Sequence, residues 1–98
     1  MLSQGQTRRI ELVGEYDISQ KPDVAALFRA LEPGGPATID LRRVTYVDSS
    51  FLNELVKLRT RFIPHPITLL VRDGNVRRIL RLVKFDLLFA IHDPPDGS

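Results

Sequence analysis

Helical and strand-like segments alternate along this chain, and the alternation limits the folds that it can adopt. The longest helical segment covers about residues 49 to 62 and repeats apolar residues on one face: Phe51, Leu55, Leu58 and Phe62. Pro64 prevents its continuation, because a proline cannot extend a helix. Residues 67 to 71 then form an almost continuous apolar run, which is typical of a strand buried on both faces.

Two further helices are expected on either side of this unit. The first begins near Pro22 and places four apolar residues at helical spacing, which predicts a core-facing side: Val24, Leu27, Phe28 and Leu31. The second carries its apolar residues at another set of helical positions: Val76, Ile79, Leu80 and Val83. Each of these helices should pack one side against the core.

Three more segments are typical of strands. Residues 10 to 13 place one acidic residue among apolar ones, as a half-buried strand would, and Gly14 is expected to end that strand. Residues 38 to 47 predict one strand with an irregular end, and residues 87 to 91 predict a short last strand.

The resulting order, β-α-β-α-β-α-β, favours a single α/β domain with a mainly parallel central sheet of about four strands and helices packed against it. One domain should span residues 1–98. Its core should cover about residues 8–92, and the turn-rich residues 93–98 should form a flexible tail.

Composition excludes several classes of function. The chain has no cysteine, so it can form neither a disulfide nor a thiolate metal site, and two histidines far apart in the sequence give no metal signature. We therefore expect neither a metal nor a cofactor. Because no secretory signal and no apolar run long enough for a membrane span is found, we expect a cytoplasmic protein without membrane insertion.

Basic side chains are concentrated between residues 57 and 84. This segment contains eight basic residues and one acidic residue. Four of them lie opposite the apolar side of the last helix: Arg77, Arg78, Arg81 and Lys84. A solvated helix face explains this pattern, and direct nucleic-acid binding is the alternative. We expect no direct contact with nucleic acid, because the segment lacks interleaved aromatic residues and any nucleic-acid motif.

The stretch YVDSSFLNEL lies where the second strand ends and the longest helix begins. In parallel sheets, functional residues gather at such junctions. Asp48, Ser49 and Ser50 are all residue types that cap helices, and Ser49 is the expected cap. One cap needs only one of them, so a serine hydroxyl should remain accessible to a modifying enzyme.

Three segments of the chain resemble STAS domains. IDLRRVTYVDSSFLNEL is similar to the family's "DLS.V" strand followed by "DSSGL" and a helix, and LVGEYD resembles its "L.GELD" segment. ITLLVRDGNVRRILRLVKFDLLFAI resembles its later strand, loop and helix. The resemblance runs from about Ile10 to Ile91 and implies a STAS-like domain whose N-terminal strand and C-terminal helix are abbreviated.

The resemblance further implies a role as an anti-sigma factor antagonist. In such proteins the second serine of the motif, here Ser50, is phosphorylated by a partner anti-sigma factor with serine kinase activity, and phosphorylation ends the interaction. The matching places Asp17 near the phosphorylation site and makes Asp48 the acid that opens the motif. The chain would then be a substrate of the kinase and not an enzyme. The partner-binding residues expected from this matching are Asp17, Asp48, Ser49, Ser50, Phe51, Asn53 and Glu54.

The sequence departs from the family pattern at two positions of the motif. Phe51 and Asn53 stand where glycines are usual. Phe51 would either turn inward with the apolar helix row or serve as an exposed anchor for a partner. The abbreviated ends would also leave an exposed sheet edge, which could support a homodimer.

One other function of a STAS domain remains open at this point. The chain could be a constitutive STAS subunit of a lipid-transport complex or signalling scaffold, with Phe51 packed into a partner and no role for phosphorylation. A hydrolase triad of Ser50 with His65 or His92 and an Asp is not expected, because the chain has no G-x-S-x-G elbow and its histidines adjoin proline or the tail.

Overall fold

The computed structural model describes residues 8–17, 19 and 21–92. Its elements follow the predicted order: β1 (Arg8–Tyr16), α1 (Lys21–Arg29), β2 (Ala37–Val47), α2 (Ser49–Phe62), β3 (Ile67–Val71), α3 (Gly74–Leu82), a 3₁₀ turn (Phe85–Leu87) and β4 (Ala90–His92). The first seven residues and the tail at 93–98, for which flexibility was expected, lie outside the described residues.

The four strands form one sheet in the order β1-β2-β3-β4, and all neighbouring strands are parallel. This arrangement confirms the predicted parallel α/β fold. Each helix connects one strand to the next in the same direction across the sheet. Right-handed crossovers therefore bring all three helices to the same face.

The core lies between that face and the helices. Successive residues of a strand point to opposite faces, so one inward row crosses the whole sheet: Ile10, Ile39, Leu69 and Ile91. The buried residues of α2 complete the core from the helical layer, and they include the predicted row from Phe51 to Phe62. In α1, Val24 and Phe28 are buried, whereas Leu27 is exposed and does not face the core as predicted.

The opposite face of the sheet carries charged side chains. Asp40 is buried there, and its Oδ2 accepts hydrogen bonds from Nη2 of Arg9 and Nη2 of Arg42, both at 2.7 Å. The Arg42 guanidinium, through its hydrogen bond, holds the pKa of the Asp40 carboxyl below its ordinary value, and the positive charge of Arg9 adds to the effect. Asp40 is the one acidic side chain buried within the described strands, and these two ion pairs balance its charge.

The first strand is longer than predicted. Gly14 was expected to end it, but β1 continues to Tyr16. Gly14 has φ +99°, and the pairing of β1 with β2 shifts between Glu11 and Val13 and between Gly14 and Glu15. β2 contributes an extra residue at each shift, so the glycine permits a local bend within the strand instead of ending it.

The last strand is shorter and later than predicted. Residues 87 to 91 were expected to form it, but the structure has a 3₁₀ turn at Phe85–Leu87 and a strand of three residues at Ala90–His92. The reason is the pair Phe85 and Phe89, whose rings lie 5.3 Å apart and are both buried. In an extended strand, side chains four residues apart point to the same face but lie too far apart to touch. In a turn, the same spacing brings them into contact.

Candidate functional site

The carboxyl ends of β1 and β2 bring the predicted site residues together. Tyr16 pairs with Val47, and the Asp48 amide donates a hydrogen bond to the Tyr16 carbonyl oxygen at 3.2 Å. Asp17 and Asp48 therefore follow neighbouring strand ends. The GEYD and DSS segments, far apart in the sequence, meet at one edge of the sheet.

Asp48 caps α2. Its backbone is extended, with φ −120° and ψ −175°, and its Oδ1 accepts a hydrogen bond from the Phe51 amide at 3.1 Å. Ser49, the expected cap, already lies within the helix. The prediction of Ser49 as the cap was wrong. The capping side chain belongs to the residue just before the first helical residue, which is Asp48, and it accepts from the amide of the third helical residue, which is Phe51.

Both serine side chains of the motif lack a hydrogen-bond partner among the described residues. Ser49 is exposed, and Ser50 is half-buried in the first turn of α2. Because Asp48 supplies the cap, neither hydroxyl has a structural task here.

Phe51 turns into the interior and is only 2% exposed. Its ring centroid lies 5.5 Å from that of Tyr16 and 6.1 Å from that of Phe28. The inward interpretation is confirmed, and the exposed-anchor interpretation was wrong. Since the ring points away from solvent, it does not obstruct the surface at the start of α2.

Asp17 is exposed beside this junction. Its Oδ1 accepts hydrogen bonds from the Ser19 hydroxyl at 2.6 Å and the Ser19 amide at 2.9 Å. These two hydrogen bonds hold the pKa of the Asp17 carboxyl below its ordinary value. Asp17 thus contributes a fixed negative charge at the edge of the site.

The remaining two predicted partner residues differ in accessibility. Asn53 is exposed, as a partner contact requires. Glu54 is only 5% exposed, and one of its carboxylate oxygens lies 3.4 Å from Nζ of Lys57. A partner could not reach Glu54 without displacing its neighbours, because the residue follows Phe51 by three positions and shares its buried side of the helix.

Tyr16 supports the site although its role was not predicted from the sequence. Its ring packs against Phe51, and its hydroxyl accepts a hydrogen bond from the Val13 amide at 3.2 Å. Tyr16 directly precedes Asp17 in the sequence, and this position was the signal that could have indicated its supporting role.

One of the two histidines considered for a triad with Ser50 lies far from it. His65 lies beyond the opposite end of α2, a helix of 14 residues, which corresponds to roughly 20 Å. His65 therefore cannot act as a base for Ser50. Within the described ranges, no group of three or more metal-ligating side chains could hold a metal ion.

Comparisons with known proteins agree with this architecture. A family model described as "Mlab, STAS domain" matches residues 2–89. A search of curated proteins finds no match. No helix in the described part of the chain is long and apolar enough to cross a membrane. The matched region covers most of the chain and includes both segments that meet at the junction, and the chain therefore belongs to the STAS domain family.

Proposed function

We propose that this chain is an anti-sigma factor antagonist that is switched off by phosphorylation of Ser50. The observation that carries the proposal is the Ser50 hydroxyl, which lies in the first turn of α2 and has no hydrogen-bond partner among the described residues. Asp48 already caps the helix, so a modification of Ser50 would not remove the cap. A phosphate could therefore change the surface without unfolding the domain.

Two electrostatic effects act on a phosphate at this position. The amino end of α2 carries partial positive charge and stabilises an anion, and no acidic side chain lies in the first turn to oppose it. Asp48 and Asp17 stand beside it at the strand ends, however, and a phosphate adds about −1.5 to −2 charges to theirs. The modified surface would be strongly acidic and would repel a partner that fits the unmodified surface.

The proposed partner is an anti-sigma factor with serine kinase activity. It would bind the surface formed by Asp17, Ser49, Ser50, Asn53 and the first turn of α2, and it would transfer phosphate to Ser50. The chain is the substrate in this reaction and not the enzyme. The proposal implies a cytoplasmic location, where the partner and its sigma factor act.

Phosphate transfer tests the proposal directly. The chain is incubated with a kinase-type anti-sigma factor and ATP, and the Ser50→Ala and Ser49→Ala variants serve as a matched pair. We expect incorporation of phosphate in the parent chain and in the Ser49→Ala variant but not in the Ser50→Ala variant. Equal incorporation in both variants, or none in the parent chain, would contradict the proposal.

Binding provides a second test. Ser50→Asp should weaken binding of the anti-sigma factor at least tenfold. An acidic residue in the first turn is favourable for α2, so the substitution should not unfold the domain. Unchanged affinity of the folded variant would count against a phosphorylation switch.

The second candidate is a constitutive STAS subunit of a lipid-transport complex or signalling scaffold. The description of the matched family model, which names Mlab and no antagonist, favours keeping it. Phe51 cannot be the anchor in that case, because its ring is buried. Stable co-purification with a large assembly, unaffected by Ser50→Asp, would favour this candidate.

A homodimer through a sheet edge is compatible with either function. β1 and β4 form the two edges of the sheet within the described ranges. An unpaired edge strand offers backbone groups to a second copy. Sedimentation of the purified chain at several concentrations would reveal such a dimer.

A further inference from the structure

The end of α3 and the turn that follows it expose an unusual set of aliphatic side chains. Leu82 is 72% exposed and Leu87 is 74% exposed, while Val83 between them is 43% exposed. The two aromatic residues of the same segment, Phe85 and Phe89, point into the core instead. The aromatic rings of the segment therefore pack in the core, and its aliphatic side chains are exposed to solvent.

Basic side chains lie near these aliphatic residues. Leu82 lines one shallow groove together with Arg78 and Arg81. Lys84 is exposed in the turn, and its carbonyl oxygen accepts a hydrogen bond from the Leu87 amide at 3.1 Å, which keeps the two residues close. Asp86 is the one acidic residue of the turn. We call the exposed residues Arg78, Arg81, Leu82, Val83, Lys84 and Leu87 the α3 patch.

The backbone at Lys84 supports a functional interpretation of the patch. Lys84 has φ +63° and ψ +31°, the left-handed conformation in which helices usually end with glycine. A lysine in this conformation is less favourable than glycine. The chain therefore has a positively charged residue at a position where glycine would be energetically more favourable for the fold.

The turn is also fixed to the rest of the domain. Nε of Arg59, on α2, donates a hydrogen bond to the carbonyl oxygen of Leu88 at 2.7 Å. Together with the buried pair Phe85 and Phe89, this contact holds the turn in position. Leu87 is thus presented by a turn that is fixed to the domain.

From these observations we propose that the α3 patch binds the surface of a bilayer that contains anionic phospholipids. Aliphatic side chains that protrude next to arginine and lysine fit the boundary between acyl chains and negatively charged headgroups. The hot spots of protein interfaces are enriched in tyrosine, tryptophan and arginine and poor in leucine, whereas this patch exposes two leucines and no aromatic residue. Nucleic acid would use the basic residues but would leave Leu82 and Leu87 in water. The association is peripheral and does not depend on Ser50.

Cosedimentation with vesicles tests the proposal. The full chain is mixed with large unilamellar vesicles of phosphatidylcholine and phosphatidylglycerol at a ratio of 7:3, and with vesicles of phosphatidylcholine alone. We expect binding to the anionic vesicles, little binding to the neutral vesicles, and weaker binding at higher salt. Equal binding to both, or no binding to the anionic vesicles at low salt, would overturn the proposal.

Variants of exposed residues separate the two parts of the patch. Leu87→Ser should raise the vesicle dissociation constant by about tenfold, because a leucine that inserts leaves water. Lys84→Gly should raise it by about fivefold while the domain folds at least as well, because glycine suits the left-handed conformation. Val13→Ser is the matched control, since Val13 is 60% exposed on β1, at the other edge of the sheet, and should have no effect.

The variants also identify an alternative occupant. Loss of binding in the Lys84→Gly variant without loss in the Leu87→Ser variant would indicate adsorption by charge alone and would contradict insertion. Soluble polyglutamate serves as a probe for an acidic protein partner. If polyglutamate binds in a manner that requires Leu87 while anionic vesicles do not bind, the patch is a protein surface and the membrane proposal is wrong.

Discussion

The carboxylate of Asp48 accepts a hydrogen bond from the backbone amide of Phe51 at 3.1 Å, and this contact assigns the cap of α2 to the acid of the DSS motif. The two serines are thereby released from a capping role. In the proposed switch, Asp48 keeps the helix start in place whether or not Ser50 carries a phosphate.

Replacement of Asp48 should destabilise the domain. Asp48→Ala removes the cap and should lower the free energy of unfolding by about 1 kcal/mol, whereas Asp48→Asn keeps an accepting oxygen and should lose less. Ser49→Ala is the matched control and should change stability by less than about 0.5 kcal/mol. Urea denaturation measures all three variants. A larger loss in Ser49→Ala than in Asp48→Ala would show that the cap is misassigned.

Phe51 should be a residue of the core. Phe51→Leu should lower the free energy of unfolding by about 1 to 2 kcal/mol, since leucine fills most of the space between Tyr16 and Phe28. Phe51→Gly, which restores the residue usual in the family pattern, should lower it by more than about 3 kcal/mol because it leaves a cavity. Urea denaturation distinguishes the two. If Phe51→Gly were neutral, the ring would not be packed as described.

Arg61 should stabilise the end of α1. Its Nη1 donates to the carbonyl oxygen of Phe28 at 3.0 Å, and its Nη2 donates to that of Leu31 at 2.9 Å. The Phe28 carbonyl lies in the last turn of α1 and also accepts from the Leu31 amide at 3.1 Å, and the Leu31 carbonyl lies just beyond the helix. Arg61→Met should lower the free energy of unfolding by about 1 to 2 kcal/mol, and Arg61→Lys should restore only part of it, because lysine lacks the two-pronged guanidinium. Full recovery with lysine would mean that charge alone matters.

The ion pairs of Asp40 should make stability depend on pH. The hydrogen bond from Arg42 lowers the pKa of Asp40 in the folded state below the ordinary value of 3.8. A carboxyl whose folded pKa is lowered stabilises the fold above its unfolded pKa, and the effect is lost as the pH falls through the folded pKa. The difference in unfolding free energy between the parent chain and Asp40→Asn should therefore be constant above about pH 5 and shrink as the pH falls past 3.8.

Urea titrations between pH 2.5 and 7 measure this difference. Arg42→Met is the control, because it should raise the pKa of Asp40 towards its ordinary value and reduce the pH dependence. Parallel curves for the parent chain and Asp40→Asn would show that Asp40 is not stabilised by its arginine partners.

Periodicity predicted most of the fold, because long amphipathic segments determine which side of a helix is buried. The bounds of α2 and β3 agree with the sequence pattern, since prolines and a polar junction delimit both. The errors arose where tertiary contacts decide local structure. Gly14 lies inside β1 because β2 contributes extra residues opposite it, and the 3₁₀ turn at Phe85–Leu87 forms because two aromatic rings meet in the core.

The meeting of the GEYD and DSS segments was expected from the sequence, but the details of the junction were not. The family resemblance placed Asp17 near the motif opened by Asp48. The two residues lie at neighbouring strand ends because β1 continues to Tyr16, beyond the Gly14 at which the first strand was expected to end. It could not show that Asp48, and not Ser49, is the cap, since a shift of one residue at the helix start reverses the roles. Nor could it show that Glu54 is buried, because a carboxylate is normally exposed unless a specific neighbour such as Lys57 pairs with it.

The central claim concerns the phosphate on Ser50, and peptide mapping by mass spectrometry tests it most directly. The protein is isolated from its own host in growing and in stressed cells, and the peptide that covers residues 43 to 57 is analysed. The proposed switch predicts phosphate on Ser50, but not on Ser49, with an occupancy that changes between the two conditions. Phosphate on Ser49 alone, or unmodified peptide under both conditions, would contradict it.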